Sequence, residues 1–463
     1  SQKLKDFKLS FGILIFLILY YYCLFSCFYC IILNMINKIP IKDLKNYLNK
    51  EVIIAGFVQT IRDHGNLKFL LIRDRTGTVQ VVITKDNQNF EIAKKIITES
   101  VVKIQGIVKE EKQAPNGFEI NPIEIEILSL ANGELPIPIV SEKGAEEVDQ
   151  TKRLDWRFLD LRNPRNLKIF QVWTELEKGF RNYFNQNGFI QIYTPSLMST
   201  SSEGGSEVFE VKYFDRKAYL AQSPQFYKQM AMSAGFEKVF TFGPVFRAEP
   251  SFTSRHLTEF TGWDFEISYI DSHFDVMAVE EDLIISGFKA LKESLDLNIE
   301  IPQKPFPYHT LKETKEILKK EGVVSEKEDL TPEEERKIWE ITKQKTGSDF
   351  IWITDFPISV RPFYHQRYED NPQITKSFDL IYKGVEITTG SQREHRIEIL
   401  EKQAIEKGVK LETISDYLNF FRYGSPPHGG VGIGPARLIM KILDLLNVKE
   451  ATYLPRDVKR LTP

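Results

Sequence analysis

Cysteine is nearly absent from this chain of 463 residues, and so is net charge. Its three cysteines, Cys23, Cys27 and Cys30, lie together near the N-terminus, where no polar ligand stands beside them to suggest a metal site. The rest of the chain can therefore form no disulfide and use no thiolate, which fits a reducing compartment. Because the net charge is only −3, any contact with RNA must come from local patches.

Two common nucleotide-binding motifs are also missing. The chain contains neither GxxxxGK[ST] nor GxGxxG, which excludes a P-loop and a Rossmann-type ATP site. A composition of 42% apolar and 27% charged residues is that of an ordinary globular protein. The length exceeds what one compact core supports, so we expect two or three domains.

Residues 1–34 differ in composition from the rest of the chain. The stretch 11–33 is uncharged and long enough to cross a bilayer, but it is too long for the core of a signal peptide, and no small-residue cleavage site follows. Its Phe, Ile, Leu, Tyr and Asn content is also what translated A/T-rich non-coding DNA yields. We expect Met35 to be the natural start and the protein to be cytoplasmic. A membrane anchor through 11–33 is the alternative.

Residues 35–130 are predicted to form an OB-fold β-barrel. Apolar and polar residues alternate in four stretches, and 91–100 is predicted to be a short helix between strands. Four or five short strands with a helix after the third follow the OB order, and such barrels commonly bind single-stranded nucleic acid. Phe69 would offer a stacking face to a base, although a core position is the alternative. Base edges could be bound by Arg62, Gln80 and Glu119.

Residues 131–160 combine glycine, proline and acidic residues without periodicity, which predicts a linker or hinge. Residues 161–463 are predicted to form an α+β domain with a mainly antiparallel sheet flanked by helices, because strands recur in blocks. Strands are predicted at 188–197, 207–221, 238–248, 260–270, 377–390 and 429–434. Helices are predicted at 166–187, 224–234, 273–294, 311–321, 332–345, 394–407 and 434–446.

The stretch FRAEPSFTSRHLTEF, residues 246–260, concentrates charge in an apparent strand-loop-strand. A solvated hairpin needs no such arrangement, and a buried one would need partners or ligands for its charges. The charged and titratable residues of this stretch are Arg247, Glu249, Arg255, His256 and Glu259.

A second stretch, GGVGIGPARL at 429–438, is rich in glycine and leads into a helix that carries Arg437. Such glycines let the backbone approach a ligand closely, and the start of a helix favours an anion. A glycine-rich turn by itself is often only structural.

Together these stretches resemble the class II aminoacyl-tRNA synthetases, in the aspartyl, asparaginyl and lysyl subgroup with an N-terminal OB anticodon-binding domain. NYFNQNGFIQIYTPSL is similar to motif 1, FRAE…RHLTEF to motif 2 and GGVGIGPARL to motif 3. The likeness spans about residues 36–463. SEGGSEVFEV, AQSPQFYKQ, GVEITTGSQREHR and FRYGSPPHGG make it strongest to the archaeal and eukaryotic type of aspartyl-tRNA synthetase.

The resemblance implies an ATP-dependent aspartate–tRNA ligase. Such an enzyme converts L-aspartate to aspartyl-adenylate with release of pyrophosphate, and then transfers aspartate to the 3′ end of tRNA. It would work as a homodimer, with the motif 1 proline, Pro195, at the interface. The substrate carboxylate is the nucleophile, so no side-chain nucleophile or general base is required, and fixed guanidinium groups neutralise the charge built at phosphorus.

Residue roles follow from the same resemblance. The catalytic groups would be Arg247 and Arg437. ATP would be bound by Arg247, Glu249, Arg255, His256, Leu257, Glu386, Gly434 and Arg437. Mg²⁺ would be held by Glu386 and Thr389, where the family often has serine in place of the threonine.

Aspartate would be bound by Glu203, Gln225, Lys228, Arg247, Thr389 and Arg393, with Asp264 and Glu266 as further pocket candidates. The resemblance assigns Glu203 to the substrate ammonium, and Lys228 and Arg393 to the side chain. Two cations in a closed pocket would need an anion, because one left buried and unpaired costs about 3–5 kcal/mol. We therefore expect aspartate to be selected over asparagine.

The resemblance also suggests which tRNAs are charged. Phe69, Gln80 and Glu119 match positions that stack on and bind the central U of the anticodon. Relatives that accept only tRNA(Asp) carry tryptophan and lysine where this chain has Gln59 and Pro115. The proline is similar to relaxed enzymes, whereas Gln59 is not the histidine usual in them. We expect both tRNA(Asp) and tRNA(Asn) to be charged, with a tRNA-dependent amidotransferase as partner.

Four alternatives stay open at this point. They are an asparaginyl-tRNA synthetase, a strictly discriminating aspartyl enzyme, a paralogue that makes asparagine without tRNA, and a non-catalytic RNA-binding protein derived from a synthetase. The intact OB region disfavours the third, and the presence of Arg247, Arg437 and Glu386 disfavours the fourth. ATP–pyrophosphate exchange would separate the catalytic from the non-catalytic candidates.

Overall fold

The computed structural model describes residues 38–140, 147–200, 207–251 and 253–463, which form two compact units divided between Pro136 and Ile137. The predicted leader, residues 1–34, and Met35 lie outside the described residues. Within the described ranges, no helix is both long enough and apolar enough to cross a membrane.

The first unit is a closed five-stranded barrel with the strand order β1-β2-β3-β5-β4, so the predicted OB-fold is confirmed. Its strands are β1 (Glu51–Asp63), β2 (Leu67–Asp74), β3 (Gly77–Thr84), β4 (Val101–Glu110) and β5 (Phe118–Ser129). Short helix α1 (Phe90–Ala93) lies between β3 and β4, and 3₁₀ turns occupy Ile41–Tyr47 and Pro115–Gly117. Burial alternates along β4, which is why apolar alternation in the sequence predicted the strands.

The predicted helix 91–100 is wrong in its extent, since α1 ends at Ala93. Glu99 adopts a positive φ of 66°, which a continuing helix would not allow. In this conformation both carboxylate oxygens of Glu99 accept from Arg73 Nη2 at 2.9 Å, and both side chains are buried. Breaking such a buried ion pair costs about 3–5 kcal/mol, which outweighs a helix propensity of tenths of a kcal/mol per residue.

The second unit is built on an eight-stranded sheet with the order β12-β13-β14-β15-β16-β11-β10-β6. All neighbouring pairs are antiparallel except β12–β13 and β6–β10, which confirms the predicted mainly antiparallel sheet. Its strands are β6 (Ile190–Gln191), β10 (Lys238–Phe246), β11 (Glu259–Ser268), β12 (Tyr308–Thr310), β13 (Phe350–Thr354), β14 (Ser377–Tyr382), β15 (Val385–Gln392) and β16 (His428–Ile433). A separate three-stranded sheet contains β7 (Leu197–Met198), β8 (Glu210–Tyr213) and β9 (Arg216–Leu220).

Helices cover the sheet. They are α2 (Gln150–Asp155), α3 (Arg157–Asp160), α4 (Pro164–Gln186), α5 (Gln225–Ser233), α6 (His273–Ser294), α7 (Leu311–Lys320), α8 (Pro332–Thr346), α9 (Ile397–Glu406), α10 (Ser415–Arg422) and α11 (Pro435–Ile442). Further 3₁₀ turns occupy Ile358–Val360 and Leu411–Ile414. Helices α4 and α6 touch at their backbones, because a Cβ on Gly179 would lie 2.7 Å from the Cα of Gly287. This contact brings both helices against one aromatic core.

Several predicted elements differ from those observed. Within the predicted strand 188–197 only short β6 and the start of β7 form, because Pro195 has no N–H for a strand ladder. The predicted strand 207–221 is instead the hairpin β8–β9, turning at Phe214 with a φ of 54°. Strand β13 was missed, because a run buried on both faces shows no alternation.

Arg157 joins the beginning of the second unit to its C-terminal segment. It lies in the stretch 131–160 that was predicted to be a linker, although α2 and α3 are helical there. Its guanidinium is buried and donates to the carbonyls of Glu450, Thr452 and Tyr453 at 2.7, 3.0 and 3.2 Å. Asp160 supplies the countercharge at 2.5 Å.

Glu280, fully buried in α6, predicts a pH dependence of stability. Burial raises the pKa of Glu280 to about 8, with Thr388 opposing the rise and Glu281 adding to it. A carboxyl that is protonated in the folded state stabilises the fold at low pH, and this contribution is lost as pH rises through the folded pKa. Relative to Glu280→Gln, the wild-type free energy of unfolding should therefore fall by up to about 1.4 kcal/mol per pH unit between the ordinary carboxyl pKa of 4.5 and the folded pKa of about 8, and the difference between the two proteins should level off above it. Thermal and urea unfolding across this range would test it, and parallel pH profiles would contradict it.

Candidate active site

A cavity of about 430 Å³ in the second unit collects residues from distant parts of the sequence. Twelve of the predicted site residues line it: Gln225, Lys228, Arg247, Glu249, Arg255, His256, Leu257, Glu386, Thr389, Arg393, Gly434 and Arg437. Glu203 lies outside the described residues. Pro195 is exposed and does not line the cavity.

The sheet sets the order of the site residues. Asp264 on β11, Gly432 on β16 and Thr389 on β15 are successive Cα partners across three neighbouring strands. Asp379 on β14 extends the same row as the partner of Thr389. One row across the sheet therefore carries the predicted amino-acid pocket at one end and the predicted metal position at the other.

Four buried charges lie together at one end of the cavity, and we call Lys228, Asp264, Glu266 and Arg393 the charge tetrad; all but Glu266 line the cavity. Lys228 Nζ lies 2.9 Å from Asp264 Oδ2 and 3.4 Å from Glu266 Oε2, and it donates to the carbonyl of Val431 at 2.7 Å. Arg393 Nε donates to Glu266 Oε1 at 2.9 Å. Two cations face two carboxylates, so the tetrad is neutral when all four groups are ionised.

The expectation that Lys228 and Arg393 lack partners until a substrate anion arrives is therefore wrong. Asp264 and Glu266 are two residues apart on β11, so both side chains point to the same face of the sheet. They reach the cations from there and satisfy the requirement that buried charges be paired. A ligand that binds Lys228 or Arg393 must therefore exchange with these pairs, because neither cation is left unpaired.

The two carboxylates differ in basicity. Burial raises the pKa of Asp264, with Lys228 opposing that rise. Burial also acts to raise the pKa of Glu266, but Arg393 and Lys228 outweigh it and hold that pKa below its usual range. Asp264 is thus the member of the tetrad whose charge is less firmly held.

Gly430 makes room for the tetrad, in the part of the sequence similar to motif 3. A Cβ there would lie 2.1 Å from Glu266 Oε2 and 2.2 Å from the carbonyl oxygen of Phe265. The Gly430 carbonyl also accepts from Arg393 Nη2 at 2.8 Å. Glycine is required at this position by the close approach of Glu266.

A chain of hydrogen bonds orients Gln225. Burial lowers the pKa of His428 to about 4, so its ring is neutral at physiological pH. His428 Nδ1 donates to the carbonyl of Pro426 at 2.7 Å, which leaves Nε2 to accept from Gln229 Nε2 at 3.1 Å. Gln229 Oε1 then accepts from Gln225 Nε2 at 2.9 Å. With its nitrogen engaged, Gln225 offers its carbonyl oxygen as an acceptor in the cavity, as an ammonium ligand requires.

The other end of the cavity is lined by arginines and by the glutamates that pair with them. Arg437 Nη1 lies 3.2 Å from Glu386 Oε1 and 3.1 Å from the Glu386 carbonyl oxygen. Arg247 is half-exposed, and its Nη1 lies 3.7 Å from Glu249 Oε1, which is long for an ion pair. Its guanidinium is therefore available to a ligand. Burial and then Arg437 lower the pKa of His256, so its ring adds no charge at neutral pH. Fixed guanidinium groups around a cavity suit a polyphosphate.

Residues at this end fit a Mg²⁺ ion. Thr389 Oγ1 donates to Glu386 Oε1 at 3.4 Å. Asp379 places one oxygen on Arg361 Nη2 at 2.7 Å, and its buried Oδ1 has no hydrogen-bond partner among the described residues. The described chain holds no cluster of three acidic, histidine or cysteine side chains able to bind a metal alone, so nucleotide phosphates would have to complete the ligand set.

Asp379 was missed by the sequence predictions. An aspartate within the apolar strand SFDLIY was the available signal, because a buried charge in a strand needs a partner or a ligand. Burial raises the pKa of Asp379 to about 7, Arg361 opposes the rise and Glu386 adds to it.

The predicted anticodon residues lie on the outer face of the barrel in the first unit. Gln80 and Glu119 are Cα partners, and Gln80 Nε2 donates to Glu119 Oε2 at 3.0 Å. The Phe69 ring meets the His64 ring edge-on at 6.0 Å, and both are at least partly exposed. Gln59 is held by Arg73 Nη1 at 3.3 Å. Arg62 is exposed and is the Cα partner of Phe69 across β1 and β2, and exposed Pro115 begins the 3₁₀ turn before β5.

An OB barrel, an antiparallel sheet and a cavity with arginines from motifs 2 and 3 together define a class II aminoacyl-tRNA synthetase. Residues 149–458 match the family described as tRNA synthetases class II (D, K and N), and residues 52–128 match the OB-fold nucleic acid binding domain. The chain belongs to this class II family, as its sequence motifs predicted.

Two similar proteins are archaeal. The aspartate–tRNA(Asp) ligase of Pyrococcus abyssi is 42% identical over 425 residues, which are 89% of this chain and 96% of that protein. The aspartate–tRNA(Asp/Asn) ligase of Archaeoglobus fulgidus is 43% identical over 425 residues, which are 89% of this chain and 97% of that protein.

Solved structures give the same fold. The asparaginyl-tRNA synthetase of Pyrococcus horikoshii complexed with asparaginyl-adenylate superimposes with a TM-score of 0.83 and 33% identity, covering 92% of this chain and 99% of that one. The aspartyl-tRNA synthetase of Entamoeba histolytica has a TM-score of 0.82 and 34% identity, covering 92% and 93%.

Gly430→Ala should displace Glu266 and so break the tetrad. Overpacking costs about 1–3 kcal/mol, and an unpaired buried charge adds about 3–5 kcal/mol, so the melting temperature should fall by many degrees. Gly243→Ala on β10 is the matched control, since a Cβ there meets no atom within 4 Å. Equal melting temperatures of the two variants would contradict this assignment.

Proposed function

We propose that this protein is an ATP-dependent aspartate–tRNA ligase. It activates L-aspartate to aspartyl-adenylate with release of pyrophosphate, and then transfers aspartate to the 3′ end of tRNA(Asp) and of tRNA(Asn). The observation that carries the proposal is one cavity in which an arginine-lined end, suited to phosphates, lies beside the charge tetrad. The ligase names of relatives at about 40% identity support it.

The adenylation step follows from positioning and electrostatics. The substrate carboxylate attacks the α-phosphorus of ATP, its P–O bond forms as the bond to pyrophosphate breaks, and no proton has to move. Arg247 comes from the stretch similar to motif 2 and Arg437 from the stretch similar to motif 3, and both line the cavity. They neutralise the charge that accumulates on the phosphorus oxygens. Mg²⁺ held by Glu386, Thr389 and Asp379 would further neutralise the phosphates. The neutral ring of His256 is available to hydrogen-bond them.

Selectivity for aspartate follows from charge balance in the tetrad. The resemblance assigned the substrate ammonium to Glu203, which lies outside the described residues; among the described residues Asp264 is its partner, with Gln225 as a second acceptor. The substrate side-chain carboxylate takes Lys228 and Arg393. One positive and one negative charge enter a neutral site, so every buried charge stays paired. Asparagine brings the ammonium without the side-chain anion and leaves one cation uncompensated, at a cost of about 3–5 kcal/mol, or about two to four orders of magnitude.

Relaxed tRNA recognition is supported by Pro115, an exposed residue in the β4–β5 turn. Charging of tRNA(Asn) with aspartate would require an amidotransferase to convert the product. The homodimer is supported by exposed apolar side chains around motif 1, which a single chain leaves uncovered: Ile190, Tyr193 and Leu197.

Purified tRNA(Asp) and tRNA(Asn) should both be charged by the protein with radiolabelled aspartate. Neither should be charged with asparagine, and kcat/KM in ATP–pyrophosphate exchange should favour aspartate by about 10²–10⁴. Charging of tRNA(Asp) alone with aspartate would support the ligase activity but contradict the proposed charging of tRNA(Asn).

Preference for asparagine would instead establish the asparaginyl enzyme, the second candidate, which the likeness to the Pyrococcus horikoshii structure favours. No exchange with either amino acid would sink both ligase proposals.

Arg247→Lys tests the adenylation mechanism. Lysine keeps the charge but cannot make the two parallel hydrogen bonds of a guanidinium, so kcat for pyrophosphate exchange should fall by about 10²–10³. Thermal stability should change little, because Arg247 is half-exposed and its contact with Glu249 is long. Unchanged kcat would contradict the role.

A further inference from the structure

Glu335 reaches the cavity region from outside the three synthetase motifs. It lies on the first turn of α8, in the segment between β12 and β13. Three consecutive glutamates begin this helix, a pattern that ordinarily serves the positive end of the helix dipole. Glu335 is nonetheless only 5% exposed, so a role in solvent-facing capping does not account for it.

One oxygen of Glu335 connects two parts of the site. Glu335 Oε2 accepts from Arg255 Nη1 at 2.6 Å and from the backbone N–H of Glu386 at 2.9 Å. Arg255 belongs to the loop similar to motif 2, and Glu386 lies on β15. The carboxylate therefore bridges the predicted phosphate-binding loop and the predicted metal-binding strand.

Arg255 is held at one nitrogen only. In the described part of the chain, Glu335 is the sole side chain that its guanidinium contacts as an ion pair or hydrogen bond. The remaining guanidinium N–H groups are free for a ligand, and Arg255 lines the cavity. An arginine anchored at one corner presents its other donors in a fixed direction, which lowers the entropy lost when an anion binds.

The neighbouring Glu334 has a different environment. It accepts from Lys315 Nζ at 2.8 Å and from Ser325 Oγ at 3.0 Å, and it forms a capping box with Thr331. These contacts hold α7 and α8 together and do not involve cavity residues. Of these two adjacent buried glutamates, Glu334 thus stabilises helix packing, whereas Glu335 contacts residues of the cavity.

We propose that Glu335 is a positioning residue for nucleotide binding, acting through Arg255. It orients the free side of the Arg255 guanidinium towards the terminal phosphates of ATP and fixes the start of β15 at Glu386. This rests on the proposed function for the identity of the anion as a nucleoside triphosphate. It makes the α7–α8 segment a working part of the site, although this segment carries none of the motif residues.

Glu335→Gln tests this with little change in shape. Glutamine keeps an acceptor oxygen but removes the charge that anchors Arg255, so the Kd for ATP, measured by calorimetry without amino acid, should rise about tenfold. The KM for ATP in pyrophosphate exchange should rise to the same extent, with the KM for aspartate unchanged. Glu334→Gln is the matched control and should lower the melting temperature while leaving the Kd for ATP unchanged.

A double-mutant cycle separates positioning from structure. Arg255→Ala should weaken ATP binding, and adding Glu335→Gln to it should weaken binding no further, because Glu335 acts through Arg255. Equal ATP affinity of wild type and Glu335→Gln would overturn the proposal, as would fully additive effects in the cycle. ATP binding needs no amino-acid turnover, so these results stand apart from the charging experiment that tests the proposed function.

Discussion

The charge tetrad ties the architecture of the second unit to its chemistry. Lys228 comes from α5, Asp264 and Glu266 come from β11, and Arg393 directly follows β15. Because an unpaired member would cost several kcal/mol, the helix and both strands must keep their relative positions to within hydrogen-bond distance. Gly430 then follows as a steric requirement, since β16 passes directly against Glu266. The fold around the tetrad is determined by charge pairing as much as by the aromatic core.

The cavity carries two electrostatic regimes side by side. At the tetrad, charges are buried and balanced, so only an incoming ligand that preserves the balance is accepted without cost. At the other end, Arg247 and Arg437 line the cavity together with Glu386. Burial acts to raise the pKa of Glu386, but Arg437 and the neighbouring arginines outweigh it and hold that pKa below its usual value. Arg247 and Arg437 are each paired with one glutamate but keep donors that this partner does not use, and such guanidinium donors suit a polyanion. Under the proposed function, selectivity and affinity would reside in different parts of one cavity.

Sequence alone predicted what depends on local pattern. The barrel strands show an alternation of apolar and polar residues, and the motif arginines and glycines stand in short recognisable stretches. Both could be identified from the sequence without knowing which residues they contact. Pairing could not, because Lys228 and Asp264 are 36 residues apart and only the packing of α5 against β11 brings them together. Glu335 was hidden for the same reason, since its partner Arg255 is 80 residues away. The overlong helix predicted at 91–100 shares this cause, because Glu99, whose positive φ is incompatible with a helix there, pairs with Arg73 on another strand.

The buried guanidinium of Arg157 needs hydrogen-bond acceptors that lie far along the chain, at residues 450–453. The carbonyls that satisfy its guanidinium lie at least 293 residues further along the chain. During synthesis water must take the place of these acceptors until residues 450–453 have left the ribosome, so the region around α3 cannot close before then. A chain that stops before residue 450 would keep a cation without its acceptors. Chaperones and proteases act on such incompletely closed chains, which removes prematurely ended products.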